Sequence, residues 1–337
     1  MKSLHQPSHL SPTLTLRTVP LPQPTQPNDL LIQVHAFAPT LGELSWAAAR
    51  PEFYLEDREP VPGTDVAGVV VGGPATDPQG SGRFKPGDRV FGLMDFTRPG
   101  AGREYTVAAA PTMARLPDGV AFADAAAVPM GALTAWQNLF VHYPGLRREG
   151  LYGDEGRARR ENAGRRIMVV GAGGGVGTWA VQLAALAGAE VVAVASGSKE
   201  ELVRSLGARE VVDYTKTTVA EWVRGRPERE VDLVLDCVGG PSREHSWWAV
   251  KEGGMMITIV LEPELKQPQE LKRKIEAKWT LVERDGTMLE EIGALVAEGK
   301  VKAIVDKAYG FDQWEPAFEK VMGGRSAGRV VIKIVDE

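Results

Sequence analysis

The hydrophobic pattern of this chain changes character along its length. Over the first part, short β-rich or alternating runs are separated by proline and glycine, as in "LTLRTV", "LLIQVHAF", "VAGVVVG" and "DRVFGL". Alternation bounded by turn residues is typical of strands in an antiparallel sheet. The pattern therefore predicts a β-rich domain with little helix.

Towards the middle of the chain, the spacing of the hydrophobic residues changes from that of strands to that of helices. "FADAAAVPMGALTAWQNLF" predicts a pair of helices, and from Arg166 apolar strands alternate with helices: "RIMVVGA", "EVVAVAS", "EVVDY" and "VDLVLDCVGG". Apolar strands that alternate with helices indicate a parallel sheet covered on both faces. The tail "AIVDKAYGF" and "GRVVIKIV" returns to β character and is expected to rejoin the first domain.

These changes divide the chain into two expected domains. The first comprises residues 1–130 and 302–337, and the second comprises residues 131–301. Residues 142–165 are crowded with charge and glycine and lack apolar periodicity, so they are predicted to form an exposed charged loop.

Composition narrows the function classes. The 337 residues are 43% hydrophobic and 25% charged, with a net charge of −5, which is typical of a globular protein in solution. The basic residues form no stripe, so a nucleic-acid partner is not expected. No run approaches the roughly 18 apolar residues of a membrane span, and the N-terminus has no signal-peptide core. Cys237 is the single cysteine, which suits a reducing compartment, so the chain is predicted to be cytoplasmic. Its expected partner is a small-molecule substrate.

A glycine-rich turn follows the first strand of the region in which strands and helices alternate. In "IMVVGAGGGVGTWAVQLA" the spacing is Gly171-x-x-Gly174-x-x-Gly177, while Ala172 holds the first place of the stricter glycine motif. A strand, a glycine turn and a helix let backbone approach a pyrophosphate closely and aim a helix N-terminus at its charge. The alternative is a tight packing turn, but the βα units that follow favour dinucleotide binding.

The end of the next strand indicates which dinucleotide is bound. An acidic residue there would hold a ribose 2′-hydroxyl, but in "VAVASGSKEE" the position is taken by Ala195 and Ser196, with Ser198 and Lys199 just beyond. Hydroxyls and an ammonium suit a phosphate, which favours NADPH over NADH. The alternative is that Lys199 is merely solvated and Ser198 is a helix N-cap.

Several stretches together resemble the medium-chain dehydrogenase/reductase superfamily, in its zinc-free quinone oxidoreductase and enoyl reductase branch. They are "PGTDVAGVV", "FKPGDRVFG", "GAGGGVGTWAVQLA", "LGAREVVDY", "VDLVLDCVGG" and "GRVVIKI". "APTLGELSW" and the 142–165 segment resemble fungal, often biosynthetic, members. The resemblance implies an α/β fold: a doubly wound Rossmann sheet plus a GroES-like β-rich catalytic domain built from both chain ends.

The resemblance also implies a set of cofactor-binding residues. Lys199 and Tyr214 match a lysine and tyrosine pair that NADPH-dependent members use at the adenosine phosphate. For the glycines and Val238, plain packing is the alternative. The full expected set is Thr134, Gly174, Gly175, Val176, Gly177, Ser196, Ser198, Lys199, Tyr214, Val238, Gly239, Ile259, Val260, Gly328 and Arg329.

No metal is expected. Zinc-dependent relatives place His-Glu where Thr64 and Asp65 stand, and their early catalytic cysteine is missing here. The five histidines and one cysteine are not at ligand spacing. We expect Asp65 to be structural, as the cap of the turn at Gly63.

Without a metal to polarise a carbonyl, conjugate reduction is favoured over alcohol oxidation. The resemblance points to Tyr54 as a catalytic proton donor, although the asparagine that usually precedes that loop is absent; a cleft-lining or surface aromatic is the alternative. Candidates for an apolar substrate wall, or equally for the core, are Phe53, Met94, Phe96 and Trp136.

The sequence thus predicts an NADPH-dependent, zinc-independent reductase of an activated C=C bond of enone, enoyl or quinone type, in the manner of natural-product enzymes. A metal-free carbonyl reductase and a redox-silent NADPH-binding protein that carries out non-redox chemistry remain alternatives. Family members are commonly dimers, and "GGMMITIV" as an exposed apolar edge strand would give a reason to pair. A homodimer is therefore expected.

Overall fold

The computed structural model describes residues 1–51, 58–74, 76, 83–149, 151, 155–261 and 265–335. The chain divides into two compact units, the first formed by Met1–Leu133 with Glu283–Glu337 and the second by Thr134–Val282. The sequence boundaries lay at 130 and 302, so the second division falls earlier than expected. The reason is the helix Gly286–Ala297, which packs on the strand Met113–Arg115 of the first unit.

The elements follow in chain order. The strands are β1 (Lys2–His5), β2 (Thr15–Thr18), β3 (Asp29–Ala38), β4 (Asp65–Gly72), β5 (Arg89–Leu93), β6 (Tyr105–Ala109), β7 (Met113–Arg115), β8 (Arg166–Val170), β9 (Glu190–Ala195), β10 (Ala208–Asp213), β11 (Val231–Asp236), β12 (Val250–Thr258), β13 (Glu276–Trp279), β14 (Val305–Gly310) and β15 (Arg329–Lys333). The α-helices are α1 (Trp46–Ala49), α2 (Phe122–Ala126), α3 (Pro129–Gln137), α4 (Glu155–Glu161), α5 (Gly177–Leu186), α6 (Glu200–Ser205), α7 (Val219–Val223), α8 (Gly240–Ser246), α9 (Gly286–Ala297) and α10 (Trp314–Met322).

The first unit is built on a mostly antiparallel sheet. Its strand order is β14-β15-β3-β4-β5-β7, and β6 also pairs with β3. β14 and β15, from the tail of the chain, pair in parallel, and Ile332 of β15 lies opposite Phe37 of β3. In the middle of β3, Leu30, Ile32 and Val34 alternate with half-buried residues because one face of the strand covers the core. That core also includes Val66, Val70 and Val90.

The second unit is a six-stranded parallel sheet of order β10-β9-β8-β11-β12-β13. This order reverses between β8 and β11, as in a doubly wound Rossmann sheet. Every residue of β8 is buried, which follows from a sheet covered on both faces. The predicted fold class, a Rossmann sheet plus a separate β-rich domain, is confirmed.

The strand expected at the edge of this sheet lies inside it. β12 pairs with β11 on one side and with β13 on the other, and its residues Met255, Met256 and Ile257 are buried. The prediction of an exposed apolar edge was wrong because β13, a four-residue strand of sequence "EAKW", covers β12. The charged Glu276 and Lys278 of β13 are exposed instead.

Residues 142–165 differ from the predicted exposed loop. They contain α4, and Asn162 is fully buried. The Asn162 side chain accepts the N–H of Arg147 at 2.7 Å and donates to the carbonyl oxygens of Arg147 at 2.7 Å and Ala187 at 2.9 Å. These hydrogen bonds hold the segment against the end of α5. Charge and glycine content alone do not predict such an anchor.

Candidate functional site

The glycine turn joins β8 to α5 in the second unit. Gly171 has a φ of 78°, a left-handed conformation that favours glycine. Its N–H and that of Ala172 both donate to the Val194 carbonyl at 3.1 Å, which fixes the turn to β9. A Cβ at Gly177 would overlap the Gly171 carbonyl oxygen, so the close approach of turn and helix requires glycine.

The predicted pyrophosphate residues lie where this turn meets the helix. Gly174, Gly175 and Val176 are half-buried, while Gly177 is buried at the first position of α5. A glycine-rich turn in front of a helix N-terminus is a cradle for a phosphate group. These residues therefore fit a dinucleotide pyrophosphate.

The residues expected at the adenosine end come together at the carboxyl ends of β9 and β10. Ser196 and Ser198 share a hydroxyl–hydroxyl hydrogen bond of 2.9 Å. The Lys199 ammonium donates to the Gly173 carbonyl at 3.2 Å, which brings it beside the glycine turn. Asp213 pairs with Ala195 across the two strands, so Tyr214 follows directly opposite Ser196, and Tyr214 is 56% exposed.

Asp213 lies beside this cluster and was not singled out from the sequence. Its carboxylate accepts the hydroxyl of Thr215 at 2.7 Å and pairs with Lys216 at 3.2 Å. The Thr215 hydroxyl, helped by its N–H and by Lys216, lowers the pKa of Asp213 to about 2. An ionised carboxylate thus faces the Ser196–Lys199 segment, with Lys216 balancing its charge.

Asp236 organises the ends of β11 and β12, and sequence analysis also missed it. The buried carboxylate accepts the N–H groups of Val238 at 3.0 Å and Gly239 at 2.9 Å on one oxygen. Its other oxygen accepts the hydroxyl of Thr258 at 2.8 Å, and that hydroxyl accepts the Val260 N–H at 3.2 Å.

The Asp236–Thr258 pair therefore shapes both loops that carry predicted cofactor residues. Val238 is 52% exposed, while Ile259 and Val260 are half-buried. An aspartate directly after the apolar stretch "LVL" of β11 is the sequence signal that could have found it. Cys237, which lies between Asp236 and Val238 in the chain, is half-buried, and burial raises the pKa of its thiol.

Other predicted residues of the second unit lie on or beside α3. Thr134 is buried, and its carbonyl accepts the side-chain amide of Asn138 at 2.7 Å; Asn138 in turn accepts the Thr280 hydroxyl at 2.8 Å. Trp136 is fully buried, with its ring edge-on to Phe140 at 5.0 Å. Phe53 and Tyr54 lie outside the described residues.

The first unit contains a buried polar network around Arg329. The guanidinium pairs with Asp65 and donates to the carbonyl of Ala38 at 3.2 Å and to the hydroxyl of Thr40 at 3.1 Å. Asp65 also accepts the Met130 N–H at 2.6 Å. Burial raises the pKa of Asp65, and Arg329 opposes that rise. The contacts of Arg329 in the structure are with its own unit, so its role at the cofactor stays a prediction; Gly328 before it has a φ of 71° and packs against Ile304.

The cap of the Gly63 turn is Glu43, not Asp65. Glu43 accepts the N–H of Gly63 at 3.2 Å on one carboxylate oxygen and that of Thr40 at 3.2 Å on the other. Burial raises the pKa of Glu43 to about 7 against these hydrogen bonds. Asp65 holds a buried structural position as expected, but it does not cap the Gly63 turn, because Arg329, far away in the sequence, pairs with its carboxylate.

A cavity adjoins this network within the first unit. The volume within it that water can occupy is about 20 Å³, enough for one or two water molecules, and it is partly open to solvent. Its lining includes Glu43, Trp46, Thr64, Met94 and Phe96. Trp46 and Phe96 meet edge-on at 5.5 Å between ring centroids. Two of the predicted substrate-wall residues, Met94 and Phe96, thus line the same cavity.

The donor groups here do not fit a catalytic zinc ion. Thr40 and Thr64 face each other with their hydroxyl oxygens 3.0 Å apart, and zinc prefers thiolate, imidazole and carboxylate ligands. Among the described residues, no group of three or more His, Cys, Asp or Glu side chains could hold a metal ion.

Of the helices within the described ranges, none is long and apolar enough to cross a membrane.

Comparison with known proteins identifies the family. The zinc-binding dehydrogenase family model matches residues 206–332. The chain is 37% identical over 96% of its length to a probable zinc-binding oxidoreductase, mitochondrial, of Arthroderma benhamiae, covering 94% of that protein. It is 32% identical over 94% of its length to a chloroplast envelope quinone oxidoreductase homolog of Arabidopsis thaliana, covering 92% of it. A quinone oxidoreductase from Coxiella burnetii superposes with a TM-score of 0.79 at 23% identity, over 99% of both chains.

The chain is therefore an oxidoreductase that belongs to the medium-chain dehydrogenase/reductase superfamily. Within it, the chain lies in the quinone oxidoreductase-like branch, as the sequence motifs predicted. Members of this superfamily use a nicotinamide cofactor, and the glycine cradle between β8 and α5 fits one. Because the names of the relatives refer to mitochondria and chloroplasts, cytoplasmic localisation stays a prediction.

Proposed function

We propose that this protein is an NADPH-dependent, zinc-independent reductase of an activated C=C bond, with an enone, enoyl or quinone substrate such as those of natural-product pathways. The observation that carries the proposal is the pair of hydroxyls, Thr40 and Thr64, beside a cavity with apolar walls. A hydroxyl can donate a hydrogen bond to a carbonyl oxygen. It cannot act as the Lewis acid that alcohol oxidation requires when no strong base removes the alcohol proton.

The preference for NADPH is supported by the cluster at the ends of β9 and β10. Ser196, Ser198 and Lys199 offer two hydroxyls and an ammonium to a 2′-phosphate, and the exposed ring of Tyr214 offers a surface to the adenosine. β9 itself ends without a carboxylate that would hold a free 2′-hydroxyl, and the Asp213 carboxylate beside it is paired with Lys216. The nicotinamide supplies a hydride when bound, and the protein contributes binding, orientation and exclusion of water.

The residues of the first unit give the acceptor its environment. Trp46 is half-buried and offers apolar surface to a conjugated ring or chain at the cavity, which the buried Met94 and Phe96 also line. In conjugate reduction, charge collects on the carbonyl oxygen of the acceptor, so a hydrogen-bond donor there stabilises the transition state. Water can supply the proton that completes the reaction.

The test is a fluorescence titration with NADPH and NADH, followed by addition of enones, enoyl thioesters and quinones to the same sample. We expect tighter binding of NADPH and its consumption by at least one acceptor class. Chromatography of the products should show loss of the C=C bond. Gain of a carbinol instead would identify a carbonyl reductase, and NADPH binding without consumption would indicate a redox-silent protein.

A further inference from the structure

Two threonine hydroxyls and a buried guanidinium form a chain of hydrogen bonds in the first unit. Arg329 donates to the Thr40 hydroxyl oxygen at 3.1 Å, and that oxygen lies 3.0 Å from the hydroxyl oxygen of Thr64. Arg329 comes from the tail, Thr40 follows β3 and Thr64 precedes β4, so three distant parts of the sequence meet here. Each has a further contact: Asp65 pairs with Arg329, Glu43 accepts the N–H of Thr40, and the Thr64 carbonyl accepts the N–H of Met94 at 2.7 Å.

The chemistry of these groups suggests a direction for the chain. A guanidinium only donates, so Thr40 accepts from Arg329 and can give its single hydrogen to Thr64. The hydrogen of Thr64 is then available to another acceptor. Thr64 is among the residues that line the cavity, and neither Thr40 nor Arg329 is.

The cavity has room for a water-sized group, so it can admit the carbonyl oxygen of an acceptor while the apolar body of that acceptor lies at its opening. Its apolar walls are Trp46, Met94 and Phe96, next to Thr64. The charged groups that line it are Glu43, Arg58, Asp95 and Arg98; of these, Asp95 pairs with Arg284 at 3.3 Å and Arg98 with Asp29 at 2.6 Å. The hydroxyl of Thr64 is therefore a neutral donor among groups whose charges are largely balanced.

We propose that Thr64 is the hydrogen-bond donor to the carbonyl oxygen of the acceptor, with Thr40 and Arg329 as positioning residues. The inference rests on the proposed function and names the group that polarises its substrate. When hydride adds to the β-carbon, the electron pair of the C=C bond moves to form the enolate and negative charge gathers on oxygen. Thr64 keeps its proton and donates a hydrogen bond to that oxygen, while water protonates the α-carbon.

A binding measurement tests the donor without any turnover. A phenolate resembles the enolate, so 4-nitrophenolate is titrated into the protein and its absorption is followed. Loss of one hydrogen bond to a charged oxygen should weaken binding about 10-fold or more in Thr64→Val. Thr64→Ser, which keeps the hydroxyl, should bind as the wild type does. Thr112→Val is the control, because its hydroxyl bonds the Ala109 carbonyl at 2.9 Å and Thr112 does not line the cavity.

Kinetics with an enone or quinone give a second, separate readout. Thr64→Val should lower kcat about 100-fold, the effect of removing one oxyanion donor, with little change in KM or in NADPH affinity. Thr40→Val should lower kcat less, and Thr40→Ser should restore it. Thr64→Ala, measured in the same way, replaces Thr64→Val if the valine does not fold.

The inference is overturned if wild type and Thr64→Val bind the phenolate equally, or if the wild type does not bind it. It is also overturned if the valine variant keeps its kcat. If the wild type binds the phenolate through Thr64 but consumes NADPH with no acceptor, the donor site stands and the proposed reductase activity falls. The two failures are therefore distinguishable.

Discussion

Asp236 is a single residue on which two loops depend. Its carboxylate accepts two N–H groups from the loop after β11 and one hydroxyl from the end of β12. Removing a buried acceptor leaves its donors unsatisfied, which costs about 1–3 kcal/mol for each group. Both loops carry predicted cofactor residues, so a change here should reach the nucleotide without touching it.

We expect Asp236→Ala to weaken the binding of NADPH and NADH by the same factor, about 10-fold, because the loops follow the two strands and not the 2′-phosphate cluster. Asp236→Asn can keep the acceptor oxygen for Val238 and Gly239 and should retain most of the affinity. Fluorescence titration of both nucleotides measures this. A change confined to one nucleotide would contradict the positioning role.

Replacing Lys199, unlike replacing Asp236, should affect the binding of NADPH and NADH differently. Lys199→Ala removes the ammonium from the predicted 2′-phosphate cluster, so NADPH binding should weaken about 10-fold or more while NADH binding changes little. Lys320→Ala is the matched control, since Lys320 pairs with Asp306 at 2.8 Å in the other unit. Equal losses for both nucleotides would mean that Lys199 does not meet the 2′-phosphate.

Glu43 should make stability depend on pH. Burial raises its folded pKa from 4.5 to about 7, so the unfolded chain ionises first as the pH rises. The contribution of Glu43 is therefore complete below pH 4.5 and is lost as the pH climbs through 7. Relative to Glu43→Gln, the wild type should lose Tm between pH 5 and pH 8. Parallel Tm profiles for the two proteins would show that Glu43 has an ordinary pKa.

At the scale of elements, the 142–165 segment shows how a charged stretch can still be anchored. Its helix α4 carries charged and exposed residues, yet Leu146 and Leu151, which precede the helix, are buried. Asn162 joins the segment to Arg147 and to the end of α5 through three hydrogen bonds. Buried amides with all partners in place fix one arrangement of a chain segment.

Replacing Asn162 should therefore release this segment. Asn162→Ala should lower the free energy of unfolding by about 2–3 kcal/mol, since it leaves a buried N–H and two carbonyls without partners. Limited proteolysis should also cut the variant faster at the arginines of 142–165. Arg157→Ala is the control, because its pair with Glu161 is exposed. Unchanged stability and proteolysis in Asn162→Ala would show that other contacts hold the segment.

The element types were largely predictable from the sequence, and their neighbours were not. β8, β9, β10 and β11 follow the apolar runs as predicted, because each strand of a covered parallel sheet shows a local apolar signature. "EAKW" has no such signature, and its pairing with β12 decides that β12 is interior. An edge position depends on what another part of the chain does, so a local pattern cannot assign it.

At the scale of the whole molecule, the homodimer remains a prediction with a changed physical basis. At the edge where an apolar strand was expected, the parallel sheet ends in β13, which is short and charged, and such edges discourage pairing with a second sheet. We still expect a dimer from the family resemblance. Sedimentation at micromolar concentration should then show twice the chain mass of 36.4 kDa, and a single species of 36.4 kDa would rule it out.

The sequence by itself determined the alternating α/β unit, the glycine turn, and the hydroxyl and lysine residues at the end of β9. Each of these is encoded by neighbours in the chain, through periodicity or through the conformations open to glycine. Tertiary structure alone decided that Thr258 meets Asp236, that Glu43 caps Gly63, and that Arg329 reaches Thr40 across 289 positions. The physical reason is that a buried polar group takes its partner from whichever segment the fold brings within hydrogen-bond distance, and spacing along the chain does not carry that information.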